Sequence, residues 1–144
     1  WYAGAVAALA AAGLRLSTAL SEKEEGHSET AVRTLREWLS SPDSPDGLLA
    51  FYPWAMRTTI AACSELRRVI GRDIHAVGWV AEELYESLYK PLFGAGPVPP
   101  AIVWKAASMA EQALALLAAR RQRPGAEPVR ICVPTRVKAE ARSA

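Results

Sequence analysis

Two residues of this chain have the types and spacing to do acid–base chemistry on a phosphate. Arg68 and His75 stand seven positions apart. A histidine can give or take a proton, and a guanidinium can stabilise charge developing on a phosphoryl oxygen. A second pair, Glu24 and His27, has the Glu-x-x-His step of carboxylate-bridged metal sites in helical bundles. Those sites need a second copy of the step and further inward-facing glutamates. The sequence has only two histidines, so no metal is expected. Cys63 and Cys132 fit neither a metal spacing nor a disulfide framework. Cys63 lies on an apolar stripe and reads as packed core, and a reducing, cytoplasmic setting follows for the pair. There is no glycine-rich phosphate loop, nucleophile elbow, zinc pattern or calcium pattern, so no cofactor is expected either.

The elements that must position these residues read as helices. The chain has 144 residues, of which 51% are apolar, enough for one domain with a modest core. Alanine dominates the apolar set and β-branched runs are scarce, which predicts an all-α fold. The centre of the chain is the stretch from Pro53 to Tyr89. Met56, Ile60, Cys63, Leu66 and Ile70 form one stripe at helical steps, and Ile74, Val77, Ala81, Leu84 and Leu88 form another. They predict two antiparallel helices joined at Gly71-Arg72-Asp73, with Gly71 ending the first and Asp73 capping the second. Helices are also expected over 2–21, over 28–40 with Ser28 as cap, and over 100–123. Residues 41–47 read as a loop, 48–52 as a short helical turn and 91–100 as a Pro- and Gly-rich linker. The expected architecture is an antiparallel bundle of about five helices in residues 1–123, with an extended basic arm over 124–144.

Net charge is +2 but unevenly spread. The first fifty residues carry four basic and seven acidic groups, whereas the last forty-four carry eight basic and three acidic. A basic end suits an acidic partner. Arg120, Arg121 and Arg123 close the last predicted helix, and Val129, Ile131 and Val133 alternate with polar residues as an edge strand would. These six residues are the candidate partner-binding surface. The tryptophans, Trp1, Trp38, Trp54, Trp79 and Trp104, fall one to each predicted helix and read as core and interface anchors. The apolar run Trp1–Leu14 is too short to span a bilayer. Membrane contact is not expected, unless the chain is a cytosolic domain tethered by apolar sequence upstream of Trp1.

Residues 2–70 resemble the small all-helical subunit of type III CRISPR–Cas effector complexes. The resemblance rests on Tyr2, Gly13-Leu14, Ala19-Leu20, Lys23, Trp38-Leu39, Leu48-Leu49, Tyr52, Thr59, Ala62 and Arg67-Arg68. The chain departs from that pattern at Leu9-Ala10 and at Glu65-Leu66-Arg67-Arg68-Val69. The resemblance implies a non-catalytic subunit that stacks with other subunits or copies of itself. It would support a guide–target duplex through Arg33, Arg36, Arg57, Arg67 and Arg68. The spacing of Arg68 and His75 is also similar to the signature of HEPN-type ribonucleases, although Val69 stands where that family has a polar residue. The expected function is a non-enzymatic structural or adaptor subunit of a larger assembly, with RNA or another single-stranded nucleic acid as the acidic partner. A metal-independent ribonuclease using Arg68 and His75 is the alternative.

Overall fold

The stretch His75–Ala81 is a β-strand, and the architecture follows from it. The computed structural model describes residues 2–14, 16, 28–123, 125, 127, 129 and 131–140. Its elements are helix α1 (Tyr2–Ala11), helix α2 (Glu29–Leu39), strand β1 (Gly47–Phe51), helix α3 (Tyr52–Glu65), strand β2 (His75–Ala81) and a short helix α4 (Glu82–Leu84). A π turn (Tyr85–Tyr89), a 3-10 turn (Lys90–Phe93), strand β3 (Ala101–Trp104), helix α5 (Ala106–Gln122) and strand β4 (Arg136–Lys138) complete the order. The strands form one sheet in the order β1-β2-β3-β4. The first three are parallel, paired Gly47↔His75 through Phe51↔Trp79 and Gly78↔Ala101 through Ala81↔Trp104. Strand β4 closes the far edge antiparallel to β3, with Ile102 opposite Val137.

The all-α, five-helix expectation is therefore wrong: the fold is mixed α/β. The physical reason lies in His75-Ala76-Val77-Gly78-Trp79-Val80-Ala81. Ala76, Gly78 and Val80 are buried and alternate with less buried neighbours, which is the two-residue period of a strand. A strand inside a parallel sheet is apolar almost throughout, and a short apolar run fits either period. The predicted helix over 74–90 is this strand followed by short irregular helical turns. The expected helical turn over 48–52 is β1, and the expected start of a helix at Pro100 is β3. Asp73 caps no helix. Its carboxylate accepts the Val69 N–H at 2.8 Å and pairs with Arg72, closing the turn into β2. The Arg72 contact and that N–H hold the carboxyl at about 2.

Other elements follow from local chemistry. Ser28 caps α2 as predicted, its hydroxyl accepting the Ala31 N–H at 3.0 Å. Helix α3 ends at Glu65 instead of continuing to Ile70, because Arg67 takes a left-handed φ of 55°. Helix α1 stops at Ala11, where Gly13 follows at φ 70°. Its predicted continuation over 17–21 lies outside the described residues. Pro53 stands in the first turn of α3, where its missing N–H costs nothing. Buried Thr58 and Thr59 satisfy their hydroxyls on the carbonyls of Trp54 and Ala55.

Two clusters make the core. Val32, Leu35 and Leu39 of α2 pack with Ala62 and Cys63 of α3 and with Ile74. Met56, Ala50, Ala76, Val80, Ala101 and Val103 pack with Tyr85 and Tyr89 of the π turn. The second cluster needs small residues in the sheet to admit the tyrosines. A Cβ on Gly78 would lie 2.3 Å from Cε2 of Tyr89. The Tyr89 hydroxyl donates within reach of the Pro99 and Pro100 carbonyls at 3.2 and 3.4 Å, and burial pushes its pKa up. We expect Gly78→Ala to destabilise the fold by roughly 1–3 kcal/mol, the usual cost of overpacking a filled core. Urea unfolding measures this, and an unchanged midpoint would show that Tyr89 is not wedged against β2.

Candidate functional site

In open α/β sheets, ligands bind in the crevice beyond the carboxyl ends of the parallel strands. Here β1, β2 and β3 end on the same edge and deliver Phe51-Tyr52-Pro53-Trp54, Trp79 to Glu83, and Trp104-Lys105 to it. Phe51 and Trp79 are register partners whose ring centroids lie 5.5 Å apart. Tyr52 has φ 72°, a left-handed conformation that a bulky residue rarely adopts. Its ring stacks on Trp54 at 4.5 Å with planes 10° apart, and both residues are about half exposed. Such backbone outliers cluster at functional sites.

The acidic residues that follow β2 are engaged within the molecule. The Glu83 carboxylate accepts the Ala106 N–H at 3.3 Å at the start of α5. Hydrogen bonds from its own backbone N–H and from Ala106 hold its pKa below the ordinary value. Glu82 pairs with Arg136. That contact is the first rung of a ladder between alternate residues from Arg136 to Glu140 and residues four apart on the turns after β2. Lys138 meets Glu86 at 2.8 Å, and Lys90 meets Glu140 at 2.6 Å and Glu86 at 3.8 Å. The spacings match because two strand residues and four helical residues both advance about 6–7 Å. Lys138 Nζ also sits 3.8 Å from the centre of the Tyr85 ring. A cavity of about 620 Å³ opens between the end of β3, the first turns of α5 and residues 131–136. Its polar lining includes Glu82, Trp104, Lys105, Ser108, Gln112 and Arg136. The Trp104 Nε1 is buried with no hydrogen-bond partner among the described residues.

The residues singled out from the sequence lie elsewhere. Arg68 donates to the Ser44 hydroxyl at 3.2 Å, and His75 opens β2 at the amino edge, its N–H on the Asp46 carbonyl. Among the described residues no hydrogen bond or ion pair joins Arg68 to His75. Arg36 pairs with Glu65 at 2.8 Å, whereas Arg33, Arg57 and Arg67 are exposed on α2, on α3 and just after α3. Arg120, Arg121 and Arg123 are exposed at the end of α5, as are Val129 and Ile131, and Val133 is half-buried. The strand of the basic arm is Arg136–Lys138 rather than 129–133, and it joins this molecule's own sheet. Glu24, His27 and Trp1 lie outside the described residues. Among the described residues no cluster of His, Cys, Asp and Glu could hold a metal ion, and no helix is long and apolar enough to cross a membrane.

Sequence reasoning missed Tyr52, Trp54, Trp79, Glu82, Glu83 and Trp104 as a group. Their shared signal is position, each closing or following a short apolar run. That signal is invisible once the runs are taken for helices.

Three parallel strands of an α/β sheet thus bring several aromatic rings to their carboxyl ends. The family described as "Periplasmic binding protein-like domain" matches residues 1–140, and the chain belongs to that family. The fold is shared with two solved transcriptional regulators. One is a putative LacI regulator from Bacillus cereus subsp. cytotoxis NVH 391-98, with TM-score 0.71 and 16% identity over 96% of this chain and 46% of that one. The other is the regulator CelR in complex with cellobiose, with TM-score 0.67 and 22% identity over 94% of this chain and 39% of that one. The chain thus spans less than half the length of either. No curated protein matches it.

These findings overturn both sequence-based resemblances. Residues 2–70 do not form the small helical subunit of a CRISPR effector, since Leu48-Leu49 lie in a strand of a mixed α/β sheet. The chain is likewise not a HEPN nuclease, because its described residues form a mixed α/β sheet fold of another family, and the structural adaptor reading built on a bundle goes with it.

Two outcomes follow from the electrostatics of this edge. Glu83 has a depressed folded pKa, so its cap on α5 is in place above the ordinary carboxylate value and is lost as pH falls through the depressed one. The Ala106 amide should be protected from exchange at pH 6 and lose protection well below pH ~4, and Glu83→Ala should lose it at pH 6. Equal protection throughout would exclude the cap. Lys138→Glu places like charges across the ladder and should lower amide protection in β4 by roughly five-fold, the scale of a surface pair. Unchanged protection would show that the sheet pairing alone holds β4.

Proposed function

We propose that this chain is a lobe that binds a small-molecule effector at the carboxyl edge of its parallel sheet and passes occupancy on to the rest of a regulator. The carrying observation is that three strands bring Tyr52, Trp54, Trp79 and Trp104 to one edge, with the left-handed Tyr52 backbone at the end of the outer strand β1. Membership of the binding-protein-like family supports the reading, and so does a fold neighbour solved with a small organic molecule. Binding, rather than turnover, is the work assigned to the edge, because its two carboxylates are already committed to Ala106 and Arg136. The lobe acts with partner protein, either further parts of a two-lobed regulator or a second copy, in a cytoplasmic setting that suits its two unpaired cysteines.

The test is a titration with cellobiose followed by amide NMR, widened to a panel of small metabolites if cellobiose is silent. The expected result is saturable shifts at residues 51–54, 81–83 and 104–106, with residues 46, 47 and 75 at the amino edge unmoved. Shifts confined to the amino edge, or silence across the panel, would sink the proposal.

A further inference from the structure

We infer that residues 131–140 form a strap, latched by ion pairs, that opens and closes the cavity at the end of β3. The inference rests on the ligand-binding reading of the carboxyl edge and adds a means of regulating it. Residues 131–136 make half of the cavity lining. The other half comes from Glu82, the end of β3, Lys105 and the first turns of α5. Detaching the strap therefore removes a whole wall.

Little apolar burial holds that wall in place. No residue of the strap is buried: Val133 and Lys138 are half-buried and the rest are exposed. Its backbone pairs with β3 over only three residues, Arg136–Lys138. The side chains that fasten it are charged. Arg136 meets Glu82, Lys138 meets Glu86, Glu140 meets Lys90, and the Lys138 ammonium lies over the Tyr85 ring. An ion pair at the surface contributes little by itself and is screened by salt. A segment held by few buried contacts opens locally at far less cost than global unfolding. Of the three pairs, only Glu82 and Arg136 line the cavity. The pairs of Lys138 and Glu140 lie outside the lining, so the latch can be altered without touching the cavity. A ligand that uses the wall binds only while the strap is attached. Occupancy and attachment then stabilise each other by the same factor.

The test uses Trp104 as an internal probe. Its indole N–H is buried with no hydrogen-bond partner among the described residues, so burial alone slows its exchange with solvent. Hydrogen exchange of this indole and of the β4 amides is followed by NMR. The variants are Lys138→Glu and the double reversal Lys138→Glu with Glu86→Lys. Lys138→Glu should speed indole and amides by one common factor, roughly five-fold. The double reversal should restore most of that loss, and the amides between β1 and β2 should not change. In the parent, raising NaCl from about 0.05 M to about 1 M should act as Lys138→Glu does. Faster β4 amides with an unchanged Trp104 indole would show that the strap opens without opening the cavity, which overturns the inference. No change in either overturns it as well. Cellobiose, or a panel compound that shifts the edge, should slow both about a hundred-fold at about a hundred times its Kd. Saturable shifts at residues 51–54 with unaltered exchange would sink the latch and keep the ligand-binding reading. Silence across the panel would remove that reading, and the ligand-free exchange would still decide the latch.

Discussion

Strand β2 must be hydrogen-bonded on both sides and still admit two tyrosines against one face, and the structure depends on meeting both demands. Its backbone is satisfied by β1 and β3 in unbroken parallel register. Its buried face is cut down to alanine, glycine and valine so that Tyr85 and Tyr89 fit beneath it. Once the tyrosines are seated, the chain between β2 and β3 is committed to a π turn and a 3-10 turn. The rings of Tyr85 and Tyr89, four residues apart, share one face of these turns and tilt together at 5.4 Å. The hydroxyl of Tyr89 then reaches the carbonyls just before β3 and fixes where that strand begins.

The same packing aims the crevice. Strands held in register end together, so Tyr52, Trp79 to Glu83 and Trp104-Lys105 share an edge although they are far apart in sequence. The charged residues there mainly fasten the frame: Glu83 to α5, and Glu82 and Glu86 to β4. Half-exposed aromatic surface at a strained turn is the feature that packing alone does not account for.

Part of this was legible in the sequence. Ser28 as the cap of α2, the loop up to Asp46 (predicted to 47, where β1 begins), the apolar stripe of α2 and the burial of Cys63 were all readable from local chemistry. The sheet was not. Ile74, Val77 and Ala81 satisfy a helical step by coincidence, since a seven-residue strand buried on one face and half-buried on the other places apolar residues at nearly every position. Gly78 was the available warning. It costs about 1 kcal/mol relative to alanine in a helix, and in a strand it marks a close approach. The candidate site was illegible for a related reason, because the carboxyl end of a strand has no meaning until the strand is recognised. Arg68 and His75 drew attention through spacing alone, and the fold leaves the arginine on Ser44.

The order of the strands across the sheet is their order along the chain, β1, β2, β3, β4, with no strand threaded between two others. None of the pairings is a tight hairpin: Gly47 waits for His75, and Ala101 waits for Lys138. Such non-local ladders fold slowly, because each loop must be closed before its contacts form. A sheet that grows in one direction suits synthesis from the amino end. Each described strand can join the edge left by the one before it, and β4 adds to β3 with a ladder of opposite charges beside it.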